Sequence, residues 1–511
     1  MDKPLLGIDL GTSGVKVGIY SGSGRLLGFG RASSYTFYSP KPGWAQSDPE
    51  KWWHAIACAI RMACLDSGVA GHDIGAVGVS VFFPTVIPMD SNGEALYPGI
   101  LYNDQRSLAQ VDAIEQAVSR EEYQDIIGNV LVPGTCAVTS MAWLRDEEPG
   151  IYSRAAVLGF ANTYVNCKLT GEMFTDPVTV SISGLVDINH PWRWSEPLCE
   201  KLSIAAERLP KVAGAADVIG TVARSAASET GLKVGTPVVC GCGDAAASAV
   251  GAGAVREGTV VDVAGTTDCV TMPLSKPTKD RRWINCAFIC KGTWFGIGSA
   301  TSSGISVEWF EREFAPAGRS QAGSKKVPIS QIASAGESGN SRLIYLPYLQ
   351  GERTPVWDPR ARGLFVGLSV STTLSDMALA VLEGTAFAFR DIIDCLQKIT
   401  KRTISEIRVV GGGTRNELWM QTKADVLGRA LDLIEFQETG SLGAALLAGL
   451  GAGVYRSLDE AAGVVRETLG VRRIEPNLSK IAPYSRLFAI YKKLYPQTVE
   501  IMHSLSNLSS G

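Results

Sequence analysis

The side chains best suited to chemistry in this sequence lie around a short glycine-rich turn near the N-terminus. The turn consists of Gly11, Thr12, Ser13 and Gly14, between two apolar segments. Its backbone amides and hydroxyls could hold a phosphate, with Lys16 close behind and Asp9 placed to hold hydrated Mg²⁺ beside it. The alternative is an ordinary hairpin turn in which Asp9 is only a turn residue, and this segment alone fits both interpretations equally.

A second turn of the same kind occurs in the other half of the chain. It consists of Gly265, Thr266 and Thr267, between the apolar segments 258–264 and 269–272. Gly265 follows Gly11 by 254 residues, close to half of the 511, and an acidic residue precedes each turn, Asp9 in one case and Asp262 in the other. The repeat predicts two related halves whose turns hold a polyphosphate from both sides, so we expect a bound nucleotide.

A third glycine cluster could contact the base or ribose of such a nucleotide. It runs Gly411, Gly412, Gly413, Thr414, Arg415, Asn416, and it again leaves a strand and enters a helix. Bare backbone here would let a flat adenine or a ribose lie against the chain. Helix capping is the alternative role of Asn416. A complete dinucleotide fingerprint and a Walker A motif are both missing, and residues 318–325 resemble the latter only loosely.

Two aspartates are candidates for the remaining chemistry. Phosphoryl transfer to an alcohol needs a carboxylate that accepts the hydroxyl proton. Asp244 follows the apolar segment 236–242 and precedes a small-residue helix, which is where ligands meet the carboxyl ends of strands. Its alternative role is N-cap of that helix, and the sequence does not separate the two. Asp104 follows another predicted strand and could bind a polyol, although a surface charge is the simpler interpretation.

Composition excludes several other classes of function. The 48 basic and 51 acidic side chains leave a net charge of -3, which offers no footprint for nucleic acid or an anionic membrane surface. Residues 1–20 show no secretory pattern and the uncharged window 126–144 is a poor membrane span, so we expect a cytoplasmic protein with no membrane anchor. The 4 histidines are isolated and complete no zinc set with the cysteines. Small molecules are therefore the expected partners.

The elements that must position these residues alternate between strands and helices, which predicts an α/β protein. The main predicted strands are 5–10, 15–20, 25–29, 74–81 and 236–242, and the main predicted helices are 52–65, 244–250, 375–396, 417–427 and 441–449. Residues 315–341 are rich in Gly, Ser, Ala and Lys, which indicates an exposed loop. We expect a domain boundary near residue 243.

Short motifs occur in a characteristic order along nearly the whole chain. They are GIDLGTS at 7–13, GWAQ at 43–46, DPEKWW at 48–53, GD at 243–244, GTT at 265–267, LPY at 346–348, GERTP at 351–355, ARG at 361–363, LEGTAF at 382–387, GGG at 411–413 and GSLGAA at 440–445. In this order the motifs resemble the FGGY carbohydrate kinases of the sugar kinase, Hsp70 and actin superfamily, and among them the xylulose kinases.

The resemblance implies an α/β fold of two ribonuclease-H-like lobes, with ATP in the interlobe cleft. Lobe 1–243 would bind the sugar and carry the first phosphate turn, and lobe 244–511 would carry the base, the second phosphate turn and the adenosine pocket. The implied nucleotide contacts are Gly11, Thr12, Ser13, Lys16, Gly265, Thr266, Gly411, Gly412 and Asn416, with Asp9 holding Mg²⁺ through water. The implied sugar contacts are Trp44, Phe83, Asp104 and Asp244. Of the two roles of Asp244, the resemblance favours the catalytic base. It is also compatible with a homodimer.

The chain differs from this pattern at the implied sugar site. After the strand 76–80, xylulose kinases usually carry Gln-Met-His, where this chain has Phe82, Phe83 and Pro84. Ala245 follows the base where many relatives have a polar amide. Two hydrogen-bonding groups are thus missing, and an unpaired hydroxyl costs about 1 to 3 kcal/mol. The sequence therefore predicts the reaction type but does not fix the acceptor.

The resulting hypothesis is ATP-dependent phosphorylation of a sugar hydroxyl, with D-xylulose to xylulose 5-phosphate as the leading reaction. The lobes would close on the sugar, and Asp244 would accept the hydroxyl proton as the oxygen attacks the γ-phosphorus. The alternatives are a kinase for another ketose, polyol or sugar acid, and a non-catalytic ATP-gated binding protein of the same superfamily. A nicotinamide-dependent dehydrogenase fits least, because the dinucleotide fingerprint is incomplete.

Overall fold

The computed structural model describes residues 3–278, 280–314, 327–335 and 342–508. The chain divides into two compact units, the first comprising Met1–Glu257, Met272–Ile297 and Glu438–Leu469 and the second Gly258–Thr271, Gly298–Gln437 and Gly470–Gly511. This partition differs from the predicted division at residue 243, because two helical segments that follow residue 243 pack on the sheet of the first unit. Residues 318–325 and much of the predicted loop 315–341 lie outside the described residues.

The main sheet of the first unit begins with the predicted hairpin. Its strands are β1 (Leu5–Gly11), β2 (Gly14–Tyr20), β3 (Leu26–Ala32), β5 (Ala76–Val81), β11 (Val218–Thr221), β12 (Pro237–Val239) and β13 (Cys242–Gly243), and the order is β11-β12-β5-β1-β2-β3 with β13 beside β5. β1 pairs antiparallel with β2 and parallel with β5. The segment 236–242 is two strands rather than the single one predicted, with Cys240 and Gly241 between them, and Gly241 has a φ of +71°.

The rest of the first unit surrounds this sheet. A smaller sheet has the order β4-β7-β6-β8, from Gln46–Ser47, Gly99–Leu101, Thr85–Met89 and Val157–Gly159, and β9 (Phe174–Thr175) pairs with β10 (Lys211–Val212). The helices are α1 (Pro49–Ser67), α2 (Leu108–Ala117), α3 (Arg120–Ile127), α4 (Ala137–Glu147), α5 (Pro149–Arg154), α6 (Ala161–Thr170), α7 (Pro177–Ser181), α8 (Glu196–Lys201), α9 (Arg224–Thr230) and α10 (Asp244–Gly251). Asp48 is the N-cap of α1, and its side chain accepts a hydrogen bond from the Glu50 amide.

One later helix packs on the first strands with almost no side chain in between. α15 (Thr439–Gly451), followed by α16 (Leu458–Thr468), belongs to the first unit and contacts β1, β5 and α10. A Cβ on Gly7 of β1 would lie 1.8 Å from the carbonyl oxygen of Ser441, and one on Gly443 would lie 1.8 Å from that of Ala247. Only glycine permits this approach. It brings the start of α15 to the carboxyl end of β1.

The second unit is built on its own sheet and two long helices. Its elements are β14 (Thr259–Ala264), β15 (Asp268–Leu274), β17 (Trp294–Ala300), α11 (Gly304–Glu313), α12 (Ile329–Ser334), β18 (Ile344–Leu346), β19 (Leu364–Val366), α13 (Leu374–Thr400), β20 (Glu406–Val410), α14 (Glu417–Leu427), β21 (Leu431–Ile434), β22 (Val471–Ile474) and α17 (Leu478–Leu508). The strand order includes β15-β14-β20-β21-β22. The boundaries between the two units fall within β15 and within β17. β16 (Ile284–Ala287) belongs to the first unit and pairs antiparallel with β17.

The alternation of strands and helices confirms the predicted α/β class. The predicted helix 417–427 has those bounds, and the helices predicted at 375–396 and 441–449 run a few residues longer at one or both ends. α13 extends to Leu374 because Thr373 and Asp376 form a reciprocal capping box. In the described part of the chain, no helix has both the length and the apolar character that a bilayer span requires.

Candidate active site

Three strands of the first unit end side by side at one edge of its main sheet. β5 pairs parallel with β1 and with β13, so that Ser80 faces Asp9 on one side and Cys242 on the other. Asp244 follows β13 directly as the first residue of α10. Because the carboxyl ends of parallel strands meet at one edge, Asp9 and Asp244 come close enough for the charge of Asp9 to raise the pKa of Asp244.

Asp9 is oriented by the strands and helix around it. The hydroxyl of Ser80 donates a hydrogen bond of 2.8 Å to Oδ1. The other oxygen faces Gly440 in the first turn of α15, where a Cβ would lie 2.6 Å from Oδ2. Burial raises the pKa of Asp9, while the Ser80 hydrogen bond and the charge of Lys16 lower it. Glycine at position 440 thus leaves room beside this carboxylate for a ligand or water.

The surroundings of Asp9 fit a hydrated magnesium ion. Proteins usually bind Mg²⁺ through one or two carboxylates, with waters and substrate phosphates completing the shell. Asp9, oriented by the Ser80 hydroxyl, supplies one such carboxylate. Among residues 3–278, 280–314, 327–335 and 342–508, no group of three or more His, Cys, Asp or Glu side chains could hold a metal without such help. The metal itself stays a prediction.

Lys16 lies opposite Asp9 and is already oriented. The two residues face each other in the β1–β2 register, and the Lys16 Nζ is 2.9 Å from the Glu438 Oε2. Both side chains keep some exposure, 33% for Lys16 and 22% for Glu438. A phosphate arriving here would therefore meet an ammonium group held in place on one side. The sequence pattern did not identify Glu438.

The predicted phosphate turn of the first unit is open to solvent. Thr12 and Ser13 are exposed, while Gly14 is buried with a φ of +156°. A Cβ on Gly14 would lie 2.9 Å from the carbonyl oxygen of Ala32, so a larger residue would disturb the hairpin. The Tyr35 hydroxyl donates to the Gly11 carbonyl and ties the turn to the chain beyond β3. This arrangement combines a fixed backbone with accessible amides and hydroxyls.

Asp244 has the protonation behaviour of a base that works at neutral pH. Burial, followed by the charge of Asp9, raises its pKa from 3.8 to about 7. The amide of Ala245 donates a hydrogen bond of 2.8 Å to Oδ1. The N-cap of α10 is Gly243, so the alternative role of Asp244 as that cap is wrong. A carboxyl with a pKa near 7 can both take and release a proton near physiological pH.

The flank of Asp244 is apolar. A Cβ on Gly243 would lie 2.4 Å from ring atom Cδ1 of Phe83, so this ring covers the residue before the base. Ala245, the residue after the base, is buried. The two departures seen in the sequence therefore lie next to Asp244 along the chain, one packed against the residue before it and one being the residue after it.

Trp44 and Asp104 come together at Arg106. The guanidinium carbon of Arg106 lies 3.8 Å from the centre of a Trp44 ring, and Arg106 also forms a 2.8 Å ion pair with Asp104. The Ala45 amide also donates a hydrogen bond to Oδ2 of Asp104, the oxygen that forms this ion pair. Asp104 is 0% exposed, so its interpretation as a surface charge is wrong. Its oxygens hold Arg106 under the tryptophan, which remains partly exposed.

The predicted phosphate turn of the second unit is similar to the first. The Gly265 amide donates to the Thr267 carbonyl at 3.0 Å, and Thr266 and Thr267 are exposed. The N-terminal end of α11 rests on this turn, since the Ile305 amide donates to the Thr266 carbonyl at 2.9 Å. The turn thus has the shape expected for phosphate binding, and its ligand stays a prediction.

The acidic residues before the two turns are not equivalent. With Gly11 and Gly265 aligned, Asp9 corresponds to Val263 and not to Asp262. Asp262 is 0% exposed and its Oδ2 accepts a 2.8 Å hydrogen bond from Lys423. The repeat noted in the sequence therefore holds for the turns, whereas Asp262 does not occupy the position that Asp9 has before the first turn.

Part of the backbone of the third glycine cluster is not covered by neighbouring atoms. Gly411 has a φ of +94°, and nothing lies within 4 Å of a Cβ placed on Gly412. Asn416 caps α14 by accepting from the Trp419 amide at 3.1 Å, which confirms its capping role without testing nucleotide binding. A cavity of about 260 Å³ adjoins the cluster, lined by Thr414, Arg415, Leu433, Ile434, Glu435, Gln437 and Arg472.

Comparison with known proteins shows the family of this chain. Residues 5–251 match the N-terminal domain and residues 260–452 the C-terminal domain of the FGGY family of carbohydrate kinases. The chain is 27% identical to the xylulose kinase of Bacillus subtilis (strain 168) over 99% of both chains. It is 30% identical to the glycerol kinase of Dechloromonas aromatica (strain RCB) over 94% of both.

The solved structures agree with the sequence relatives. The xylulose kinase of Rhodospirillum rubrum superposes with a TM-score of 0.87 at 27% identity, covering 98% of this chain and 100% of that one. This likeness confirms the predicted two-lobed α/β sugar kinase fold, and together with the family match it confirms the predicted carbohydrate kinase. The chain belongs to the FGGY family of carbohydrate kinases.

Proposed function

We propose that this protein transfers the γ-phosphoryl group of ATP to D-xylulose, giving xylulose 5-phosphate and ADP. The observation that carries the proposal is Asp244, a carboxyl group with a pKa of about 7 beside Asp9 at the carboxyl edge of the sheet. The likeness to xylulose kinases over 99% of both chains supports the choice of acceptor.

Asp244 is the proposed base. In its ionised form it accepts the proton of the sugar hydroxyl while the oxygen attacks the γ-phosphorus, the bond to the bridging oxygen breaks and ADP leaves. The neutral carboxyl formed on Asp244 is well tolerated, because burial already favours that form. The proton then passes to solvent, and the base is restored at a pH near its pKa.

The proposed nucleotide contacts come from both units. Backbone amides of Gly11, Thr12 and Ser13 and the ammonium of Lys16 would bind phosphate oxygens, as would Gly265 and Thr266. Gly411, Gly412 and Asn416 would lie along the adenosine, where the uncrowded Gly412 leaves space. Mg²⁺, held by Asp9 through water, would neutralise charge on the phosphates.

The proposed sugar contacts are apolar surfaces with one base. Phe83 and Trp44 present rings to the carbon-bound hydrogens of the sugar, and Asp104 acts by holding Arg106 beneath Trp44. Pro84 and Ala245 stand where relatives usually carry hydrogen-bonding groups, so we expect weaker discrimination between acceptors that differ in one hydroxyl than a site that pairs each hydroxyl would give.

A panel of acceptors tests this proposal. ADP release is measured with ATP, Mg²⁺ and one of D-xylulose, L-xylulose, glycerol, ribitol or gluconate, and the product is identified by mass spectrometry. We expect D-xylulose to give the highest kcat/KM and a product heavier by one phosphoryl group. Release of ADP at a rate independent of every acceptor would instead indicate an ATP-gated binding protein, and a better rate with another acceptor would replace D-xylulose.

A further inference from the structure

A buried cluster of three charged side chains lies in the second unit. The ammonium of Lys423 on α14 is 2.8 Å from the Asp262 Oδ2 on β14 and 2.7 Å from the Asp268 Oδ2 on β15. All three side chains are fully buried. None of them can reach solvent, and the proposed reaction does not use any of them. We refer to these residues as the Lys423 cluster.

The ammonium of Lys423 is enclosed on its remaining sides by aromatic rings. It lies 4.9 Å from the centre of a Trp419 ring and 4.7 Å from that of Phe389. Trp419 is itself fixed, because its ring nitrogen donates to the Thr385 hydroxyl at 2.9 Å. Cation–π contacts of this kind strengthen when water is excluded. The position of the ammonium is therefore determined by two strands, α14 and α13.

Stability alone does not account for the Lys423 cluster. Two carboxylates face one ammonium, and the Oδ1 atoms of Asp262 and Asp268 have no hydrogen-bond partner among the described residues. Burial and the charge of Asp268 raise the pKa of Asp262, in spite of the opposing effect of Lys423. Buried ionic clusters can often be replaced by uncharged side chains of similar volume without loss of stability. A partly satisfied cluster of this kind is costly to keep.

The Lys423 cluster connects the turn 265–267 to α14. Asp262 lies three residues before Gly265, and Asp268 follows Thr267 directly, so the two carboxylates bracket the turn 265–267. Lys423 lies in the helix that begins after Asn416 and the glycine cluster 411–413. Backbone pairing between β14 and β20 sets the register of these segments. The angle between the β14–β15 hairpin and α14 is then left to the side chains that connect them.

We propose that Lys423, Asp262 and Asp268 are positioning residues for the nucleotide: they lock the turn 265–267 to the helix that starts at Asn416. This inference rests on the proposed function, in which both segments bind ATP. One ammonium shared by both strands of the hairpin fixes the turn relative to α14. Displacements of about 1 Å at such a site are enough to weaken binding and catalysis substantially.

Two variants remove the positive charge of Lys423. Lys423→Met leaves two buried carboxylates facing each other, whereas the triple variant Asp262→Asn, Asp268→Asn, Lys423→Met leaves a neutral cluster of similar volume. Lys492→Met is the matched control, because it removes a lysine of the same unit from a partly exposed ion pair with Asp391 on α13. The readouts are the Kd of ADP by calorimetry, the KM of D-xylulose and the Tm.

We expect the Kd of ADP to rise about 10-fold in Lys423→Met and in the triple variant, while the KM of D-xylulose stays within about 2-fold. The triple variant should recover the Tm of the wild type without recovering its affinity. The control should change neither constant. Conservative Lys423→Arg should keep part of the affinity, since it retains the positive charge.

Several outcomes would overturn the inference. A triple variant that binds ADP as tightly as the wild type shows that the cluster does not position the nucleotide. A triple variant that does not fold shows that stability does account for the cluster after all. Failure of the wild type to bind ADP would contradict the proposed function instead, so the two failures are distinguishable.

Discussion

Replacing Asp244 by asparagine should slow turnover strongly and make the protein more stable at the same time. The amide keeps the size of the side chain and cannot accept a proton as a carboxylate does. A general base contributes about 10² to 10⁴ in rate, so kcat should fall by that factor, about 3 to 5 kcal/mol. The affinity for ADP should change little.

The gain in stability follows from the raised pKa. In the unfolded chain Asp244 loses its proton near 3.8, whereas in the folded protein it keeps the proton up to about pH 7. The unfavourable contribution of this group therefore grows as the pH rises from about 4 to about 7, and is complete above that range. The difference between 3.8 and about 7 corresponds to at most about 4 kcal/mol, at about 1.4 kcal/mol per pH unit. Asparagine carries no such penalty.

Chemical unfolding at pH 5 and pH 8 measures this effect. The stability advantage of Asp244→Asn over the wild type should be larger at pH 8 than at pH 5, and the kcat/KM of the wild type should rise with pH through about 7. Glu383→Gln is the control, since burial raises the pKa of Glu383 to about 7 and the Tyr484 hydroxyl can still donate to glutamine. It should show the same stability trend with normal turnover. An advantage that is equal at both pH values would show that Asp244 is not destabilising in its ionised form, and near-normal turnover of Asp244→Asn would show that Asp244 is not the base.

Three further variants test the proposed contacts. Lys16→Met should raise the KM of ATP about 10-fold and leave that of D-xylulose unchanged in steady-state kinetics, because it removes a charge proposed to bind phosphate; equal effects on both would argue against that role. Gly412→Val should weaken ADP binding in calorimetry without lowering the Tm, since a Cβ meets nothing there, whereas Gly411→Ala should lower the Tm because of its φ of +94°. Unchanged ADP affinity in Gly412→Val would show that the adenosine does not lie against Gly412. Trp44→Ala should raise the KM of D-xylulose severalfold with the KM of ATP unchanged, and the opposite pattern would remove Trp44 from the sugar site.

Local chemistry made the hairpins and turns predictable from the sequence. Glycine and hydroxyl residues between two apolar runs leave few backbone solutions other than a tight turn, so the segments around Gly11 and Gly265 were located correctly. The same is true of α1, whose cap at Asp48 and proline at the first helical position are local signals. The roles proposed for these turns came from the repeat and from the resemblance, and not from the turns alone.

Contacts between residues far apart in the sequence could not be predicted from local patterns. Lys423 contacts carboxylates 161 and 155 residues away in the sequence, and no local pattern in α14 indicates these partners. Asp104 was predicted as a possible polyol contact, with a surface charge as the simpler interpretation, because nothing in the sequence around Arg106 indicates that both side chains are buried. The division at residue 243 missed α15, since packing against β1 depends on glycines more than 430 residues apart. Such pairings are set by tertiary packing, which local patterns do not encode.

In the proposed reaction, one triphosphate is held by the turns at Gly11 and Gly265 while Asp244 deprotonates the acceptor. The most direct measurement is a crystal structure of the protein with ADP, aluminium fluoride, Mg²⁺ and D-xylulose. We expect both turns to contact the phosphates, and a carboxylate oxygen of Asp244 to lie within about 3 Å of the sugar hydroxyl that faces the metal fluoride. A nucleotide that touches only one of the turns, or an acceptor hydroxyl that lies away from Asp244, would contradict it.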